Sequence, residues 1–308
     1  MSSGQILVIR GGAIGDFILT LPVLQAIRDT YPIAKVEVLG YPHIARLATF
    51  GGLADAAQAI EAQAVAGFFA RNGSLDEDWM DYFAQFEIII SFLYDPDKIF
   101  QTNIGRCSEA QFIEGPHRPD ETDNIHAARA FLKPLEQLAI FDAEDIPRLP
   151  IEPKSSRSLP PGSWLVLHPG SGSKSKNWPV ESWNELAGLL IKESGWNLLI
   201  VGGEAERHEL NQLKSLIPAD RVRFEICRPL DELASLIAGA EGFVGHDSGI
   251  SHLAAALNLP GLILWGPSNQ TVWRPRSERM VVIDYAEGLS SLPVEQVWAR
   301  IPDPGPSA

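Results

Sequence analysis

The sequence predicts an α/β protein made of two doubly wound, parallel-sheet halves. Three observations predict it. Short apolar runs alternate with amphipathic stretches along nearly the whole chain. The alternation stops once, in a proline-rich stretch near the middle, and then restarts. The first apolar run of each half leads into a glycine-rich turn, at the place where such sheets bind ligands. The 308 residues are 45% hydrophobic and 21% charged, enough for two domains of about 150 residues each.

In the first half, residues 5–10 read as a buried strand, followed at once by Gly11, Gly12 and Gly15. Residues 17–28 carry apolar side chains at helical spacing, with Pro22 expected to kink the helix rather than stop it. Strand 35–39, helix 42–50, a weak strand 57–60, helix 76–85, strand 87–92 and helix 122–133 follow. The stretch 147–163 holds five prolines without sustained periodicity and reads as the linker between domains 1–150 and 151–308. Beyond it the strands are 164–167, 197–201, 222–226, 242–245, 261–265 and 281–284. Helices 181–194, 204–217, 230–239 and 249–257 separate them, and a last helix, 293–300, can pack back on the first domain. The tail from Pro302 is expected to fray.

Composition excludes several classes. No stretch of about 18 uncharged apolar residues occurs, so no spanning helix is expected. No secretion signal is visible at the start, and two cysteines make neither a disulfide framework nor a zinc site. A reducing cytoplasm is the simplest compartment. A net charge of −14 argues against nucleic acid as a partner, so any bound phosphate needs a local pocket.

Three turns carry candidate chemistry. Gly11-Gly-Ala-Ile-Gly15-Asp16 lacks both the G-x-G-x-x-G spacing and a Lys-Ser/Thr ending, so dinucleotide and P-loop readings fail. Asp16 either caps the following helix or presents a carboxylate to a substrate that the glycines let approach. His168-Pro-Gly-Ser-Gly-Ser-Lys-Ser-Lys-Asn-Trp-Pro179 offers glycine-freed N–H groups, three hydroxyls and two ammonium groups: a phosphate site, or else a solvated loop. Gly245-His-Asp-Ser-Gly-Ile-Ser-His252 opens an alanine-rich helix whose N-terminus can take a diphosphate. Asp247 fits there only if it orients the loop or a substrate hydroxyl. His246, His252 and one carboxylate are a weak metal set.

Together these turns resemble the ADP-heptose:lipopolysaccharide heptosyltransferases, glycosyltransferase family 9. The resemblance rests on Asp247-Ser-Gly-Ile-Ser-His252-Leu-Ala-Ala-Ala, on Gly266-Pro-Ser, on Lys176-Asn-Trp-Pro, and on Gly15-Asp16 followed by Leu21-Pro22. It runs to about Pro275. It implies a GT-B fold, two Rossmann-like domains facing each other across a cleft, and an inverting, metal-independent enzyme without a cofactor. That enzyme moves a heptose or related sugar from an ADP-sugar donor to a lipopolysaccharide-core or other glycan or glycolipid acceptor. Asp16 becomes the catalytic base, with Gly12 and Gly15 in an acceptor-side loop. Lys176 becomes the second catalytic residue, on the donor phosphate or sugar. Ser171, Gly172, Ser173, Asp247, Ser248, Gly249 and His252 fall at the nucleotide and diphosphate. Glu206 matches an acidic contact to the adenosine ribose, with Glu204 a close rival. A monomer is expected, cytoplasmic or peripheral at the inner face of the cytoplasmic membrane. Two departures stand out: the Ser171 loop is one residue longer than the family form, and Ser268-Asn-Gln replaces Thr-Asp-Pro.

An anionic acceptor would need a basic patch, for which Arg10, Arg106 and Arg118 are the candidates. Trp164, Trp183 and Trp196 read as core, while Trp265 and Trp273 either line the cleft or pack inside. The acids at 76–78 and 81 read as a solvated helix start. Two rival functions remain: a nucleotide-sugar-binding protein that transfers nothing, and a nucleotide-sugar epimerase of the same fold.

Overall fold

The computed structural model describes residues 4–151, 159–173, 176–216 and 220–304. The chain forms two units, Met1–Leu149 and Pro150–Ala308. Most of the linker stretch, 152–158, lies outside the described residues, as do Lys174, Ser175 and the final residues 305–308.

The first unit holds five parallel strands: β1 (Gln5–Arg10), β2 (Lys35–Gly40), β3 (Ala56–Ala59), β4 (Ile88–Ser91) and β5 (Gln111–Glu114). Their order across the sheet is β3-β2-β1-β4-β5. The central strand β1 buries Ile6, Leu7, Val8 and Ile9 on both faces, as a covered parallel sheet requires. Helices α1 (Ile14–Ile18), α2 (Leu21–Thr30), α3 (Pro42–Phe50), α4 (Glu77–Ala84), α5 (Ile99–Ile104) and α6 (Ala127–Leu132) accompany it. Phe68, Phe83, Phe86 and Phe100 close an aromatic core on Leu7, Ile9 and Ile89.

Two expectations need correction here, and two short elements went unread. Residues 17–28 are not one kinked helix. Pro22 sits in the first two positions of α2, where its missing N–H leaves no bond unmade, so the segment splits into α1 and α2. Helix 122–133 shrinks to α6, capped by His126 and preceded by a 3₁₀ turn. The short β5 and α5 escaped notice, because four and six residues give too little periodicity to read.

The second unit holds β6 (Trp164–His168), β7 (Asn197–Gly202), β8 (Val222–Ile226), β9 (Gly242–His246), β10 (Gly261–Trp265) and β11 (Met280–Asp284). All are parallel, in the order β8-β7-β6-β9-β10-β11, the Rossmann sequence of strands. The helices are α7 (Val180–Glu193), α8 (Arg207–Leu216), α9 (Leu230–Ala238), α10 (Gly249–Ala256), α11 (Gln270–Trp273) and α12 (Val294–Trp298). The last helix lies in the second unit and contributes to its core. Val294 and Val297 enter its core beside Trp183, Leu190 and Trp196. The indoles of Trp178 and Trp196 also donate to Leu292 O at 2.9 Å and Pro302 O at 3.0 Å, so the tail is tied down at its start.

Candidate functional site

The strand order reverses between β6 and β9, and two candidate segments leave the sheet at that point. The loop after β6 carries Ser171, Gly172, Ser173 and Lys176, and β9 runs through His246 into Asp247 and α10. The Lys176 ammonium donates to Asp247 Oδ2 at 2.5 Å, tying loop to turn. Asp247 is 8% exposed and Lys176 29%. Ser171 Oγ accepts from Ser173 N–H at 3.2 Å and lies 2.6 Å from Asn177 Oδ1, which closes the loop on itself. Ser248 caps α10 by accepting from Ser251 N–H at 3.3 Å. α10 starts two residues after Asp247, the carboxylate that Lys176 holds, and a helix N-terminus following a bound ammonium is an anion-seeking arrangement.

Beneath the loop lies a clasp of two buried imidazoles. Trp178 N–H donates to His246 Nε2 at 2.8 Å, so Nε2 carries no proton and Nδ1–H faces Gly170 O at 3.3 Å. Burial and the neighbouring His168 push His246 down to about 3, so its ring stays neutral. His168 is also pushed down by burial, with Nδ1 3.0 Å from Val201 O. The His246 ring holds the loop through Trp178 and Gly170, while His168 is committed to the Val201 carbonyl of β7. Among the described residues no three metal-ligating side chains gather.

Glu206 stands at the edge of this loop. Its carboxylate accepts from Gly203 N–H at 2.8 Å, and its stem lies where a Cβ on Gly170 would sit. Glu204 faces away: it is exposed, bidentate to Arg207 and 3.3 Å from Cys227 Sγ. Gly266 touches the other flank of the loop, where a Cβ would come 3.3 Å from Lys176 Cα.

In the first unit, β1 leads into Gly11, Gly12 and α1 at the analogous reversal of strand order. Gly12 has a φ of +98°, open to glycine without strain. Asp16 is not the helix N-cap. It occupies the third position of α1 and accepts from the Ala13 N–H at 3.1 Å through Oδ2. Its Oδ1 lies 3.6 Å from Arg10 Nη2. Arg10 is 2% exposed, donates to His117 O at 2.9 Å and sits 4.4 Å from the Phe131 ring centroid. Burial pushes it down to about 10, partly offset by Asp16, so it stays charged at neutral pH.

Comparison with known proteins bears on this geometry. Residues 149–292 match glycosyltransferase family 9 (heptosyltransferase). The chain carries a glycosyltransferase family 9 domain. Lipopolysaccharide heptosyltransferase 1 of Pseudomonas aeruginosa is 36% identical over 111 residues, 36% of this chain and 30% of that protein. Lipopolysaccharide heptosyltransferase 3 of Escherichia coli is 23% identical over 89% of this chain and 87% of its own length. The solved structure of an E. coli heptosyltransferase with ADP covers 96% of this chain and 98% of its own, with TM-score 0.73 and 18% identity. The fold is therefore GT-B, with two parallel-sheet domains.

The family 9 domain brings Lys176 to Asp247 and sets Ser171, Gly172, Ser173, Ser248 and Gly249 on the two segments around them. His252 lies in the first turn of α10 and is buried. Gly15 lies within α1, one residue before Asp16. The three arginines do not converge: Arg10 is buried under Asp16, Arg106 holds Gly73 O, and Arg118 pairs with Glu121. Trp265 is core, its indole donating to Ser268 O at 2.8 Å, and Trp273 is half-buried. Sequence reasoning missed the His168–His246 clasp and the Arg10 anchor. The apolar strand that runs into each histidine, and a charged residue ending an otherwise apolar β1, were the available signals.

Proposed function

We propose that this chain is an inverting, metal-independent glycosyltransferase, moving a heptose or related sugar from an ADP-sugar to a lipopolysaccharide-core or other glycan acceptor. The observation that carries this reading is the Lys176–Asp247 pair at the strand reversal of a family 9 domain. Ser171, Gly172, Ser173, the start of α10 at Ser248 and Gly249, and His252 line the donor diphosphate in this reading, and Glu206 takes the ribose. The heptosyltransferase of similar fold solved with ADP supports a nucleoside diphosphate there.

The reaction assigns each group a task. Asp16 accepts the proton of the acceptor hydroxyl while that oxygen bonds to the anomeric carbon. The bond from that carbon to the diphosphate oxygen breaks on the opposite face, and ADP leaves with the electron pair. Lys176 and the first-turn N–H groups of α10 offset the charge that grows on ADP, the task a metal performs elsewhere. Gly12 and Gly15 give the acceptor room beside Asp16.

The test is incubation with ADP-heptose and a delipidated core oligosaccharide, with and without EDTA. Transfer with an inverted anomeric centre, unchanged by EDTA, is the expected result. No response to ADP in a calorimetric titration overturns the nucleotide reading. Loss of transfer in EDTA overturns metal independence.

A further inference from the structure

Four aromatic side chains stand exposed among the described residues: Tyr41, Phe69, Tyr94 and Phe141. Two of them stand at the carboxyl end of the first sheet. Tyr41 follows directly on β2, and Tyr94 comes three residues after the end of β4. These strands are the two neighbours of β1, the strand that leads into Asp16. Arg10 pairs with Gly40 in the β1–β2 register, and Gly40 is pressed onto Arg10 O where no Cβ would fit. Tyr41 therefore leaves the sheet at the level of Gly11.

Each tyrosine also has a histidine against it. Tyr94 and His117 place their ring centroids 4.7 Å apart at 59°, and Tyr41 and His43 theirs 6.1 Å apart at 31°. The Tyr94 pair is fixed to Asp16 through one buried cation. Arg10 donates to His117 O at 2.9 Å and to Phe92 O at 3.4 Å while it faces Asp16 at 3.6 Å. Tyr94 is nonetheless 71% exposed, so most of its ring is open to a ligand.

An exposed aromatic ring offers an electron-rich face, and a pyranose offers a face of C–H groups with slight positive charge. Arg10 is buried and engaged by Asp16 and two carbonyls, so it presents no free cation to a phosphate, and Arg118 pairs with Glu121. We infer that Tyr94 with His117, and Tyr41 with His43, flank Asp16 as an aromatic rim that holds a neutral sugar ring of the acceptor by stacking. The inference rests on the transferase reading for the word acceptor, yet it concerns binding that needs neither donor nor turnover.

The test uses saturation-transfer NMR with neutral methyl hexopyranosides and, separately, a hexose 6-phosphate. Wild type, Tyr94→Ala, Tyr94→Phe, Tyr41→Ala and the distant control Phe141→Ala are compared. Transfer to the ring C–H protons falls about fivefold in Tyr94→Ala and Tyr41→Ala, and persists in Tyr94→Phe and Phe141→Ala. Both tyrosines are exposed, so thermal melting stays at the wild-type value. No saturation transfer in wild type, or equal transfer in wild type and Tyr94→Ala, overturns the inference. So does hexose 6-phosphate binding about tenfold tighter than the neutral glycosides, which would put recognition on the phosphate. A parallel titration with ADP reports on the donor reading alone, so either can fail without the other.

Discussion

Lys176 and Asp247 lie 71 residues apart in the chain, and their side chains meet at 2.5 Å between the loop after β6 and the turn after β9. For the proposed donor site, the contact removes the electrostatic objection to a carboxylate beside a diphosphate. A paired Asp247 holds the ammonium in place and adds little repulsion of its own.

Lys176→Ala should weaken ADP binding by about 1.5–3 kcal/mol, a tenfold loss or more, with little change in melting temperature. Asp247→Asn should weaken it too, because the ammonium loses its anchor. The double variant should be no worse than the worse single one, since the two act as a unit. Isothermal titration of the four proteins closes this cycle. Tighter ADP binding by Asp247→Asn would show instead that the carboxylate repels the ligand.

Asp16→Asn keeps an oxygen for the Ala13 N–H and removes the proposed base. Sugar transfer should fall by roughly 10²–10⁴ at nearly unchanged ADP affinity. Near-wild-type transfer by a folded variant sinks the base assignment. Arg10→Met should lower melting temperature and transfer together, because it frees the buried end of the contact and leaves His117 O without its donor.

The two rival glutamates separate cleanly. Glu206→Gln should raise the dissociation constant for ADP about tenfold, as loss of a charged hydrogen bond to the ribose does. Glu204→Gln should leave it within about twofold, since Glu204 is occupied by Arg207 at the exposed surface. The reverse order of effects would exchange their roles.

His246 makes the second unit acid-sensitive. Its folded value is about 3, below its ordinary 6.5, so between these limits the unfolded chain binds a proton that the folded one does not. Stability is complete above pH 6.5 and falls as pH drops toward 3, by about 1.4 kcal/mol per pH unit from this ring. His168, shifted in the same direction, adds to the slope. His246→Gln keeps a donor and an acceptor but cannot titrate. Urea unfolding at pH 7, 6 and 5 should show a shallower pH dependence for it than for wild type.

The sequence by itself determined the α/β class, every strand of the second half and the segments of the candidate site. Those features are local: β6, β7, β9 and β10 are apolar runs long enough to read, and glycine turns mark where they end. The split at Pro22, by contrast, turned on where a helix restarts, and β5 and α5 were too short to show a period. Tertiary structure alone decided the pairings. Nothing in sequence joins Lys176 to Asp247, or His246 to Trp178 68 residues away, until the strand order sets β6 beside β9. The same holds for Arg10, which reads as a surface charge and becomes a buried anchor because β4 and the loop after β5 close over it. Local patterns follow from each residue's own backbone and neighbours in sequence. Contacts between distant segments exist only once burial of the apolar strands has fixed which of them lie side by side.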